Sequence, residues 1–133
     1  MNTYKEKLSI LAQLISFAKA DDVVKIEEYK FLQDIATQLG IDQDTFDTLF
    51  HTKTERVILQ PESERIVQFH RLLLLMNVDR EQHESELRRL HTIGLAMGLP
   101  PSAIDQVLLI MDRYPDKIVP AEVLIDIFKA HYN

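Results

Sequence analysis

Two short stretches of this sequence hold carboxylates at a spacing that chemistry could use. The first reads Ala20-Asp21-Asp22-Val23-Val24-Lys25-Ile26-Glu27-Glu28, and the second Val78-Asp79-Arg80-Glu81-Gln82-His83-Glu84-Ser85-Glu86. In each, an aspartate stands where one helix should end, and a glutamate follows seven residues later in the first turns of the next. Two chemistries suit this pattern. Oxygen ligands from Asp21, Asp22 and Glu28, or from Asp79 and Glu86, are the kind that calcium or magnesium takes. Alternatively, acids near a helix start accept bonds from backbone N–H groups that have no partner inside the helix, and they complement its dipole. Neither stretch is an EF-hand: the alternating aspartate ladder and its glycine are missing, and the loops are too short. Copy two also carries Arg80 where copy one has Asp22.

The histidines give no further site. His83 and His91 lie eight residues apart, too far to share a metal as a pair one helical turn apart would. His70 falls within a helix, and His51 and His131 fall near helix ends, where solvated, capping or core-edge roles are expected. Without cysteine there are no disulfides, thiolate zinc sites or cysteine nucleophiles. No zinc-protease, hydrolase-elbow, Walker or dinucleotide glycine pattern occurs, and with only three glycines little is left for a phosphate loop. No catalytic residue and no cofactor is expected, and a divalent cation at the acidic loops is the one ligand left open.

The elements that position these acids are helices. Tyr4, Leu8, Leu11, Ile15 and Ala18 recur at helical spacing and predict a helix over about 3–20. Tyr29, Leu32, Ile35, Ala36 and Leu39 form the stripe of a second, which Gly40 ends. Asp42 is placed to cap a short helix with Phe46, Leu49 and Phe50. Residues 51–60 read as a connector, with Val57-Ile58-Leu59 as an extended segment or a brief helical turn. Pro61 opens a helix to about 78, whose apolar run at 72–76 predicts the most buried element. Another covers about 83–97 and closes at Gly98. Pro100-Pro101-Ser102 opens the next, Pro115 breaks it, and Pro120 starts a last helix over 120–131.

A shift of 58 residues lays 7–50 on 65–108 without a gap. Asp21 meets Asp79, Glu28 meets Glu86, Leu32 meets Leu90, Gly40 meets Gly98 and Asp47 meets Asp105. Because cap glycines, core stripe and loop acids agree at one offset, we read two tandem copies of one helical unit. The fold class expected is all-α: a single-domain bundle of six or seven helices over 1–133 with a pseudo-two-fold repeat. Ala36 and Gly94 hold the same place in their copies, so a helix should pass close to Gly94, and alanine there should be nearly neutral.

Net charge is −6, which disfavours nucleic acid and anionic lipid as partners. The longest apolar run falls far short of the roughly 20 residues that cross a bilayer. The N-terminus lacks the charge and apolar pattern of a leader, so a cytoplasmic location is expected. The partner expected is another protein, with a homodimer left open.

The stretches LAQLISFAKADDVVKIEEYKFLQDIATQLGI, 11–41, and RLLLLMNVDREQHESELRRLHTIGLAMGL, 71–99, resemble the TerB-like domains. That family is named for a tellurite-resistance protein and is also found at the front of certain membrane-anchored J-domain co-chaperones. The resemblance implies a duplicated all-helical bundle, a stress association and a metal-linked role for Asp21, Glu27, Glu28, Asp79 and Glu86. The family's Asp-Gly is Asp21-Asp22 and Asp79-Arg80 here, and its capping hydroxyl is Lys25 and His83. Neither a J-domain nor a membrane helix is read in these residues, so co-chaperone activity is not implied. The functional expectation is a non-catalytic protein-interaction module; the alternative is a divalent-cation-binding protein of the tellurite-resistance type.

Overall fold

A computed structural model describes residues 2–20, 23–52, 57, 59, 61–78 and 84–131. Among them the chain is all-helical and forms no strand. It divides into two compact units, Met1–Leu59 and Gln60–Asn133.

The first unit holds α1 (Tyr4–Lys19), α2 (Ile26–Gln38) and α3 (Gln43–Leu49). Thr3 and Glu6 start α1 reciprocally: the Thr3 N–H donates to Glu6 Oε1 at 2.9 Å, and the Glu6 N–H to Thr3 Oγ1 at 3.1 Å. Gly40 ends α2 at φ 74°, where an L side chain is strained. Its N–H donates to Thr37 O at 3.1 Å and that of Ile41 to Ala36 O at 2.9 Å, which closes the helix end. Asp42 then caps α3, accepting from the Thr45 N–H at 2.8 Å. Tyr29, Phe46 and Phe50 join α2 to α3 through ring contacts, Phe46 lying edge-on to the other two. Lys19 Nζ donates to Phe50 O, where α3 leaves unpaired carbonyls. Buried Ser9 pins the connector, accepting from the Val57 N–H at 2.9 Å.

The second unit holds α4 (Glu62–Asn77), α5 (Glu84–Ala96), α6 (Pro101–Ile110) and α7 (Ala121–His131), with 3-10 turns at Met111–Arg113 and Pro115–Lys117. Adding 58 to the bounds of α1 and α2 returns those of α4 and α5, and α6 starts 58 residues after α3. Gly98 repeats the left-handed turn at φ 78°, with the Leu99 N–H on Gly94 O at 3.1 Å. Arg65 Nη1 lies over Gly98 and donates to Met97 O at 2.8 Å, so it caps the end of α5. The sequence expectation made α4 the most buried helix. Instead α1 and α4 each bury eight residues.

The segment after α6 is more structured than Pro115 alone predicts. Asp116 and Lys117 sit at φ 55° and 60°, a conformation costing about 1–2 kcal/mol per non-glycine residue. Buried Asn77 holds this turn by donating from Nδ2 to Lys117 O at 3.4 Å. His70 Nε2 meets Val119 O at 2.8 Å, and the Phe128 ring lies edge-on to Phe69, which together seat α7 on α4.

At Gly94 neighbouring helices approach closely. A Cβ there would lie 2.7 Å from Ile104 Cδ1 and 3.0 Å from Phe69 Cε1, both on fully buried side chains. The close approach agrees with the sequence reading, but the expected tolerance of alanine does not follow. Overpacking costs about 1–3 kcal/mol, against about 1 kcal/mol regained in helix propensity. Gly94→Ala should therefore lower stability by up to about 2 kcal/mol and Gly94→Leu by more. Adding Ile104→Val, which removes the nearest methyl, should restore part of the Gly94→Ala loss in urea unfolding; simple additivity would show that the contact is not limiting.

Asp42 yields a pH prediction. The side-chain and backbone bonds from Thr45 hold its carboxyl below the ordinary aspartate value of 3.8. A lowered folded value means stability that is present above the unfolded value and lost as pH falls through the folded one. Asp42→Asn keeps an acceptor but does not titrate. The melting-temperature advantage of the wild type over Asp42→Asn near neutral pH should therefore close as pH falls below 3.8.

Candidate functional site

α1 ends at Lys19, with Ala20 still in helical conformation, and α2 begins at Ile26. Lys25 precedes it in extended conformation, and its N–H donates to Glu28 Oε1 at 2.9 Å. This is half of a capping box. A lysine ammonium has no lone pair, so it cannot return the bond as a serine or threonine would. Glu28 is only 8% exposed, while Glu27 beside it is open to solvent.

In the second unit Glu86 is the third residue of α5, as Glu28 is of α2, and it is 7% exposed. The structure thus places two of the six predicted acids in equivalent buried positions and Glu27 on the surface. Asp21, Asp22 and Asp79 lie outside the described residues. Among the described residues, no group of three or more histidines and carboxylates is arranged to hold a metal ion.

The feature that sequence reasoning missed is apolar. Val23 is 65% exposed and Ile26 69% exposed, at the entry to α2 and beside Glu27. A pattern search assigns such residues to the core. The signal was in the comparison of the copies: at the same offset stand Glu81 and Glu84, of which Glu84 is exposed on α5. A place that accepts glutamate in one copy does not need valine or isoleucine for packing in the other.

The remaining polar clusters tie helices together. His91 Nε2 lies 3.0 Å from Asp105 Oδ1, joining α5 to α6. His131 Nδ1 lies 2.9 Å from Ser102 Oγ and its Nε2 2.8 Å from Gln106 Oε1, joining the end of α7 to the start of α6. All three of these last side chains are exposed, so water competes for each bond. Arg71 is lowered from its ordinary value by burial, with Glu64 opposing the shift.

No protein-family model, curated protein or solved structure matches this chain. No described helix is long and apolar enough to cross a membrane.

The geometry assigns Glu28 to helix capping. Glu28→Ala should lower stability by about 1 kcal/mol, more than Glu27→Ala does. That loss should be the same in calcium, magnesium, manganese or chelator. A wild-type melting temperature that rises with one of these ions, and fails to rise in Glu28→Ala, would instead assign the carboxylate to a cation.

Proposed function

We propose that this chain is a non-catalytic protein-interaction module, TerB-like in type and stress-associated in context, that presents the entry to α2 to another protein. One observation carries the reading: Val23 and Ile26 are exposed where the second copy places Glu81 and Glu84. Apolar side chains of this size contribute about 1.5–3 kcal/mol each when buried, so a partner that covers both gains appreciably before ordering costs. The last helix offers less. Of its apolar stripe, Leu124, Ile127 and Phe128 are buried and Val123 is partly covered.

Support for a non-catalytic role comes from the histidines. His70, His91 and His131 are each bonded to a group that fixes neighbouring elements. The acidic balance of the chain favours a protein partner over nucleic acid.

The test is affinity capture of the tagged chain from its own host, with three baits compared. The wild type and Leu109→Glu, whose leucine is 74% exposed elsewhere, should retain the same stoichiometric partner. The double variant Val23→Glu/Ile26→Glu should lose it while melting at the wild-type temperature, because glutamate already occupies both places in the second copy. Equal retention by all three baits, or capture of nothing but a second copy of the chain by all three, would overturn the assignment of this surface.

A further inference from the structure

We infer that two molecules of this chain exchange α7, each seating its last helix on α4 and α6 of the other. This is independent of the surface at the entry to α2. Two observations meet at the same place. First, α7 is an addition to the repeat: subtracting 58 from its bounds lands inside α4, so no helix of the first unit corresponds to it. Second, the link that turns the chain back from α6 into α7 is short and strained. Asp116 and Lys117 stand at φ 55° and 60°. Aspartate tolerates that region better than most residues and lysine does not, so the strain falls mainly on Lys117.

The seat of α7 is made by side chains and not by the path of the link. Val119, Leu124 and Phe128 are buried, and the Phe128 ring lies edge-on to Phe69 of α4. His70 Nε2 meets Val119 O at 2.8 Å, and the His131 ring lies between Ser102 Oγ and Gln106 Oε1 of α6. None of these contacts requires α7 to come from the same molecule. An undocked α7 would expose its apolar stripe, so the favourable place for it after release is an identical seat. The turn therefore decides between the two forms. It is held closed by the Lys117 N–H on Tyr114 O at 3.0 Å and by Asn77 Nδ2 on Lys117 O at 3.4 Å. Exchange gives up these bonds and relieves two left-handed residues, while the contacts of the seat are conserved. A short hinge under strain favours that outcome as concentration rises.

Light scattering on the full chain over a concentration series tests this, with two substitutions of opposite effect. Proline cannot adopt a positive φ and has no N–H for Tyr114 O, so Lys117→Pro should be dimeric throughout. Glycine takes the turn without strain, so Lys117→Gly should dimerise about tenfold more weakly than the wild type. The natural chain has no cysteine, which lets exchange be told from simple association. Ser102→Cys and His131→Cys are placed on separate, differently tagged molecules, mixed, and treated with a short bismaleimide. Exchange should link the two kinds of molecule more strongly than it links either kind to itself. A wild type that stays monomeric up to about 1 mM would overturn the inference. So would a dimer in which Ser102→Cys/His131→Cys, carried on one molecule, cross-links only within that molecule. Equal dimerisation of the proline and glycine variants would separate association from the turn and overturn it as well.

Discussion

In the second unit Ile104 and Phe69 close on the backbone of Gly94, where a Cβ would come within 2.7 Å of the Ile104 terminal methyl. Three helices meet there, so the path of the chain between them must return Ile104 to that point. The return starts at the same residue. Gly94 O accepts the Leu99 N–H that closes α5, Gly98 supplies the left-handed turn, and Pro100-Pro101 fix the entry to α6. Local turn chemistry and the long-range contact thus specify one geometry, which is what separates a unique packing from an ensemble. The first unit solves the problem with a different fit. Ala36 occupies the equivalent place, its carbonyl closes α2 through Ile41, and buried Phe46 stands where the second unit has Ile104.

Elements with a periodic cause were legible in the sequence to within a residue or so. The apolar stripes, the cap at Asp42 and the glycines after α2 and α5 are local signals, and each determined a helix or its end. What was not legible depends on residues far apart in the chain. The turn at Asp116 and Lys117 is held by Asn77, about forty positions upstream, and the connector at Val57 is held by Ser9. No pattern within a short window reports either bond. The candidate site divides the same way: the spacing located Glu28 and Glu86, but only packing shows that both are buried.

Burial of those two glutamates limits what the acidic loops can do. A carboxylate taken from water costs several kcal/mol unless its charge is met by hydrogen bonds or an opposite charge. Glu28 meets part of that cost with the Lys25 N–H, a bond that also sets the first turn of α2. A cation that drew the carboxylate outward would have to replace that bond and leave the helix start without its cap. Capping and metal ligation therefore compete for the same side chain.

Capping and docking do not compete. The bond from Lys25 to Glu28 fixes the backbone one residue before Ile26, so it holds the exposed apolar side chain in place without using it. A surface ordered before its partner arrives spares the entropy of ordering it on binding, roughly 0.5–1.5 kcal/mol for each immobilised side chain. The buried acid and the exposed isoleucine are then two parts of one arrangement. In the proposed docking Glu28 would supply the rigidity and Ile26 the contact, and 58 residues on Glu86 is buried likewise while an exposed Glu84 stands in place of the isoleucine. A buried glutamate is the third residue of both α2 and α5. Packing within the unit gives no reason for apolar residues at this entry, and the protein partner proposed above would supply one.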